Sequence, residues 1–202
     1  MDFEKDIFIS YAHIDDATLA EGSKGWIAEF HRSLEVRLSQ LLGTNPVIWR
    51  DAKLQGNDFF GPEIVAQFPK LKVLVSIVSP RYVKSEWCQR EVEEFSKAAE
   101  ANGGMTIENK SRIFKVVKTP VKQNEQPAPL SNMLGYEFYK TDMATGRAKE
   151  LGRIYGPENE QAYWAKLDDV AHDIAELLER INNLEKKKQI YHQCLLAAVM
   201  QP

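Results

Sequence analysis

Hydrophobic positions in this chain fall into short continuous runs separated by longer stretches with three- and four-residue steps. Asp6–Ser10 (DIFIS) reads as a first strand. Trp26, Ile27, Phe30, Leu34, Leu38, Leu41 and Leu42 then repeat with the period of an amphipathic helix, which Gly43 and Asn45 end. Pro46–Trp49 is a short second strand, and the polar loop RDAKLQGND follows, with Gly56 and Asn57 suited to tight turns. Glu63–Phe68 has room for one or two helical turns. Leu71–Val78 (LKVLVSIV) is nearly continuous and β-branched, the pattern of a central strand buried on both faces. Ser79-Pro80 breaks it. Ser85 is a suitable N-cap for a helix running to about Ala101, where Asn102-Gly103-Gly104 stops it. Arg112–Val117 is a fourth strand and Tyr136–Tyr139 a weak fifth.

Segment 118–135 holds three prolines and no period, so it reads as an irregular crossover. Residues 141–158 are polar and read as a loop or lid. In 159–187, Tyr163, Trp164, Leu167, Val170, Ala171, Ile174, Leu177, Leu178, Ile181 and Leu184 form one stripe of a long helix. Strand–helix alternation around a buried third strand predicts a flavodoxin-like α/β fold. Its sheet is parallel and about five-stranded, with helices on both faces, plus the long C-terminal helix. The expected division is one domain over 1–185, with 188–202 as a tail or the start of a linker. In such folds ligands sit beyond the carboxyl ends of the strands. The loops of interest are therefore Tyr11–Gly22, Arg50–Phe60 and Ser79–Ser85.

Composition narrows the function. The 202 residues carry 29 acids and 26 bases, a net charge of -3, which argues against a broadly basic nucleic-acid binder. The 9 Phe, 7 Tyr and 4 Trp argue against disorder. No apolar run is long enough to span a bilayer, and acids precede the first short apolar run, so a secretory signal is not expected. Cys88 and Cys194 make neither a disulfide framework nor a metal spacing. A cytoplasmic protein with no metal, no direct nucleic-acid partner and no membrane partner is expected.

The helix after Ser85 carries the clearest chemical signal. With Trp87 set at zero on a helical wheel, Ala98, Phe95, Cys88, Ala99 and Val92 mark the buried face, and Glu91 falls inside it at about 40°. A carboxylate there is costly unless it is paired or lines a cleft. Its four-residue spacing from Trp87 lets indole and carboxylate share one surface. That pairing suits a ligand with a π-face and hydroxyls or developing positive charge. The bland alternative is an ion pair with Arg81 or Lys84. The loop from Trp49 through Asp51 and Lys53 to Asp58 concentrates polar groups just past a strand, where binding groups are common, although a solvated loop reads equally well. In the first loop, Tyr11 and Ala12 offer an aromatic ring and backbone amides, and His13 alone is weak evidence for a base. Cys88, on the buried face, reads as a packed thiol rather than a nucleophile.

DIFISYAH, IWRDAKLQGND and SIVSPRYVKSEWCQREVEEF, in that order and spacing, resemble a Toll/interleukin-1 receptor (TIR) domain over residues 6 to about 100. The Trp-Cys-x-x-Glu helix resembles that of bacterial members that cleave the N-glycosidic bond of NAD. The resemblance implies that Glu91 is the catalytic carboxylate, and that Trp87, Tyr11, Ala12, Trp49, Asp51 and Lys53 contact the substrate. It implies NAD as substrate, with no separate cofactor, and immune or stress signalling as the setting. Other TIR domains are the implied partners, in a homo-oligomer or filament, together with a fused or separate sensor domain. Segment 118–158 is longer and more polar than the family pattern.

Two other functions compete. A non-catalytic TIR module would use loop 50–60 to bind other TIR domains. A phosphoacceptor receiver shares the fold and is suggested by Asp15-Asp16 and Lys118. It fails because the third strand ends SIVSP, with no carboxylate to accept the phosphoryl group.

Overall fold

The computed structural model describes residues 3–19, 21–50 and 65–199, with side chains through Cys194. Five parallel strands form one sheet in the order β2-β1-β3-β6-β7. They are β1 (Lys5–Ser10), β2 (Ile48–Trp49), β3 (Leu71–Val78), β6 (Ile113–Val117) and β7 (Tyr136–Glu137). The chain steps outward from β1 to β2, then returns to the other side of β1 for β3. This is the flavodoxin-like order, and its reversal point lies between β1 and β3, where crevices open at the carboxyl edge. The five strands match the sequence reading in place and order. No helix among the described residues is long and apolar enough to cross a membrane.

Strand alternation sorts the core into two layers. Ile7, Ile9, Val73, Val75, Ile77 and Val116 face helices α1 (Trp26–Leu42) and α4 (Pro157–Val199), meeting Phe30, Leu34, Ile174 and Leu178. Phe8, Leu74, Val78 and Ile113 face helix α2 (Glu86–Ala101), meeting Cys88, Val92 and Phe95. Each such buried side chain contributes about 1.5–3 kcal/mol relative to exposure. Gly43, at φ +68, ends α1 by adopting the left-handed conformation and donating its N–H to Ser39 O at 3.0 Å. The last turn of α2 and the start of β3 are tied by Arg112. The residue is 1% exposed, and its guanidinium donates to the carbonyls of Lys72, Leu71, Ala99, Asn102 and Gly104. Burial pulls it down to about 10, so it remains a cation at neutral pH.

Three stretches depart from the sequence reading. Residues 141–158 are not a plain loop: β8 (Tyr139–Thr141) and β9 (Ala148–Glu150) form an antiparallel hairpin. Asp142 Oδ1 accepts the N–H groups of Ala144 and Thr145 at 3.0 and 3.1 Å, and Gly146 (φ +67) makes the turn. Apart from the half-buried pair Tyr139 and Glu150 its strand residues are exposed, so no hydrophobic alternation marked it. A second small hairpin joins β4 (Thr106–Ile107) to β5 (Lys110–Ser111) through Glu108 and Asn109, both at positive φ. Finally, α4 does not stop at Lys187 but continues to Val199. Its extension, KQIYHQCLLAAV, continues the same helix, with Ile190 and Tyr191 exposed. The crossover 118–135 contains a 3-10 turn, Gln123–Glu125, and a single turn of helix α3, Ala128–Ser131. Of the turns expected at Glu63–Phe68, residues 63 and 64 lie outside the described residues, and Phe68–Lys70 form a 3-10 turn.

Candidate functional site

The site grows from the carboxyl end of β1. Alternation puts Phe8, Ser10 and Ala12 toward α2, and Ile9 and Tyr11 toward α1 and α4. Across from β1, Ser85 caps α2 by accepting the Cys88 N–H at 3.3 Å. This sets the helix phase and turns Cys88, Glu91, Val92, Phe95 and Ala99 inward. Glu91 is therefore 3% exposed, on the face the wheel assigned to it. Its carboxylate faces the end of β1. Ser10 Oγ donates to Oε2 at 2.5 Å, and Trp87 Nε1 donates to Oε1 at 3.0 Å. Both donors are neutral, so each orients the carboxylate without cancelling its charge. Arg81 and Lys84, the alternative partners, are exposed on the preceding turn.

Behind Ser10 stands Tyr82, fully buried, with its Oη 3.1 Å from Ser10 Oγ. Burial, with the neighbouring Cys88 and Glu91 adding to it, pushes this phenol well above its ordinary value against the pull of the Ser10 and Ser76 hydroxyls. The Tyr82 backbone N–H donates to Ser79 Oγ at 3.0 Å, and Ser79 Oγ donates to Asp15 Oδ2 at 2.6 Å. Ser79 thus occupies the place after β3 where a receiver domain needs its acceptor carboxylate. Ser10 and Tyr82 were not among the residues singled out from the sequence. The signal was present in the period-two pattern of DIFISYA, which sends Ser10, not Tyr11, to the face where Glu91 lies.

The other expected residues scatter. Trp87 is half-buried beside Glu91. Ala12 is 5% exposed in the layer under α2. Tyr11 belongs to the opposite layer and stacks on His13, with ring centroids 5.5 Å apart. Trp49 lies half-buried against Phe8 at 4.7 Å, and Lys5 Nζ sits 4.3 Å over its ring. Lys5 begins β1, so this contact draws the indole toward the amino end of the sheet. Asp51 and Lys53 lie outside the described residues.

Among the cavities bordered by described residues, two are formed in part by residues that follow β3 and β6 or β1 and β6. The larger, about 1080 Å³, opens on the α1 and α4 side. Its lining includes Asp15, Trp26, Lys118, Glu150 and Trp164. Lys118 Nζ donates to Glu150 Oε2 at 2.9 Å on its floor. The smaller, about 450 Å³, lies between Pro80, Val83 and Val121. Burial pushes the Cys88 thiol up to about 12, and the Glu91 charge adds to the effect, so this thiol is not a nucleophile at neutral pH. Chemically, the arrangement presents one oriented carboxylate beside an indole, at the edge where this fold binds ligands.

No family model matches the chain, and no curated protein does. Among solved structures, the chain is similar to one described as the activated Roq1 resistosome directly recognizing the pathogen effector XopQ (TIR domains). That match has a TM-score of 0.40 and 15% identity, and covers 89% of this chain and 84% of the other.

Proposed function

We propose that this protein is a TIR-type domain that cleaves the bond between nicotinamide and ribose in NAD, with Glu91 as the catalytic carboxylate. The observation that carries the reading is the state of Glu91. It is an acid on the buried stripe of α2, held at the carboxyl edge of the sheet by two neutral donors, Ser10 and Trp87. Both donors fix the orientation of the carboxylate at the edge where ligands bind in this fold.

The chemistry asks little else of the protein. Nicotinamide in NAD is already cationic, so it leaves as a neutral base with the bonding electrons and needs no general acid. Positive charge then develops at the ribose carbon and ring oxygen. A fixed carboxylate nearby stabilises that charge and accepts hydrogen bonds from ribose hydroxyls. Water adds to the carbon and loses a proton, giving ADP-ribose. Capture by a nucleophilic group of the same substrate gives a cyclic isomer. Trp87 supplies a ring edge for the base, while Ala12 and the segment containing Asp51 and Lys53 are the proposed remaining contacts.

A second reading, a TIR–TIR interaction module without catalysis, is favoured by one observation: Glu91 is 3% exposed. The test is incubation of the purified chain with NAD over a wide range of protein concentration, with mass spectrometry of the products. Nicotinamide appearing with ADP-ribose or its cyclic isomer supports the enzyme. Product absent at every concentration, with self-association retained, leaves the interaction module.

A further inference from the structure

We propose that Ser10, with its oxygen steadied by Tyr82, is the residue that positions Glu91; what the fixed carboxylate serves rests on the NAD-cleaving reading above. Trp87 cannot do this alone. It sits four residues before Glu91 on the same helix, so it moves with the carboxylate it binds. Ser10 is a donor that belongs to the sheet. It is the last residue of β1, paired in register with Ser76 of β3, so its backbone is held by neighbouring strands. The Ser10–Glu91 bond therefore ties the carboxylate of a helix to the rigid edge where a ligand would lie.

The direction of each proton follows from counting. An ionised carboxylate only accepts. Ser10 has one hydroxyl proton, and the 2.5 Å contact to Oε2 commits it to Glu91. The 3.1 Å contact between Ser10 and Tyr82 must then run from the phenol to the serine. Burial keeps that phenol protonated across the neutral range. Its donation polarises the serine hydroxyl and strengthens the next bond in line. Tyr82 is itself fixed at its other end, since its N–H is held by Ser79 Oγ. The tyrosine is thus a strut between two serines, one bound to each of two carboxylates. Glu91 has three side-chain torsions, and freezing them through this strut removes the rotamer entropy that ordering the carboxylate at each turnover would otherwise cost.

The experiment uses the full chain with Ser10→Ala, Tyr82→Phe and Ser10→Thr, each checked by thermal melting. Two readouts are taken. The first is steady-state NAD cleavage, where Ser10→Ala lowers kcat on the order of tenfold with KM within about twofold. Tyr82→Phe lowers kcat by less, and Ser10→Thr recovers it. The second needs no turnover: the Trp87 indole N–H resonance, assigned by its loss in Trp87→Phe, moves in Ser10→Ala and in Tyr82→Phe because the shared carboxylate shifts. Wild-type kcat in both variants together with an unmoved indole resonance overturns the proposal. If the wild-type chain never cleaves NAD, the enzymatic reading fails on its own, and the indole resonance alone decides whether Ser10 positions Glu91.

Discussion

Glu91 and Asp15 stand at the two ends of one hydrogen-bonded line across the carboxyl edge of the sheet. Ser10 serves Glu91, Ser79 serves Asp15, and Tyr82 joins the two serines through its phenol and its backbone N–H. One acid projects from α2, and the other lines the large cavity on the opposite side. The two carboxylates have different physical consequences, and these can be measured separately.

Glu91→Gln keeps the shape of the side chain. Its amide oxygen accepts from Trp87, and its amide nitrogen donates to Ser10, whose hydroxyl rotates to accept. Only the charge is lost. NAD cleavage should fall by roughly a hundredfold or more, with melting as in the wild type. Full activity in this variant would remove Glu91 from the mechanism.

Trp87→Phe retains an aromatic ring but loses the N–H that meets Glu91 Oε1. Turnover should fall on the order of tenfold, the scale of one hydrogen bond to a charged group. Trp87→Ala should lose more activity and also melt lower, because the half-buried ring is removed. Equal activity in Trp87→Phe and wild type would reduce the indole to packing.

Asp15 gives a pH signature. Burial raises its carboxyl above the ordinary 3.8, against the Ser79 hydrogen bond and the Lys118 charge, with Glu150 adding to the rise. Between 3.8 and the raised value the folded state binds more protons than the unfolded one, so this group's contribution to stability falls as pH climbs through that window. Asp15→Asn, which still accepts from Ser79, should therefore melt higher than wild type at pH 7. The gain should fade as pH drops below 3.8. Melting curves across pH decide it, and a wild type that is the more stable at pH 7 contradicts the sign.

The two cysteines should behave oppositely. Cys194 is exposed, whereas Cys88 is buried with its thiol pushed up to about 12. A thiol reagent at pH 7.5–8 (roughly the range that favours an ordinary thiol) should label one cysteine quickly in the folded protein. The second should appear only on unfolding. Fast labelling of Cys88 in the folded state would mean that α2 opens readily from the sheet.

Much of the architecture was legible because burial leaves a periodic record. LKVLVSIV reads as a two-faced central strand, the i, i+3, i+4 repeats give α1, α2 and the body of α4, and Ser85 marks a start that its side chain does cap. The wheel placed Glu91 inside the apolar stripe, and it is buried there. Elements without a buried face left no such record. The Tyr139–Glu150 hairpin rests on a turn held by Asp142 and on cross-strand backbone bonds.

Local pattern along the chain thus settled the five strands of the main sheet, the helices α1 and α2 and the body of α4, the order in which they alternate, and that one acid lies where acids are costly. The partners of that acid were a matter for the folded state. Ser10 and Glu91 are 81 positions apart, and nothing in either segment names the other. They meet because the parallel register of β1 and β3, and the phase of α2 set by its cap, bring a strand end and a helix face together. Alternation along β1 then decides the neighbour: Ser10 points under α2, and Tyr11 points away.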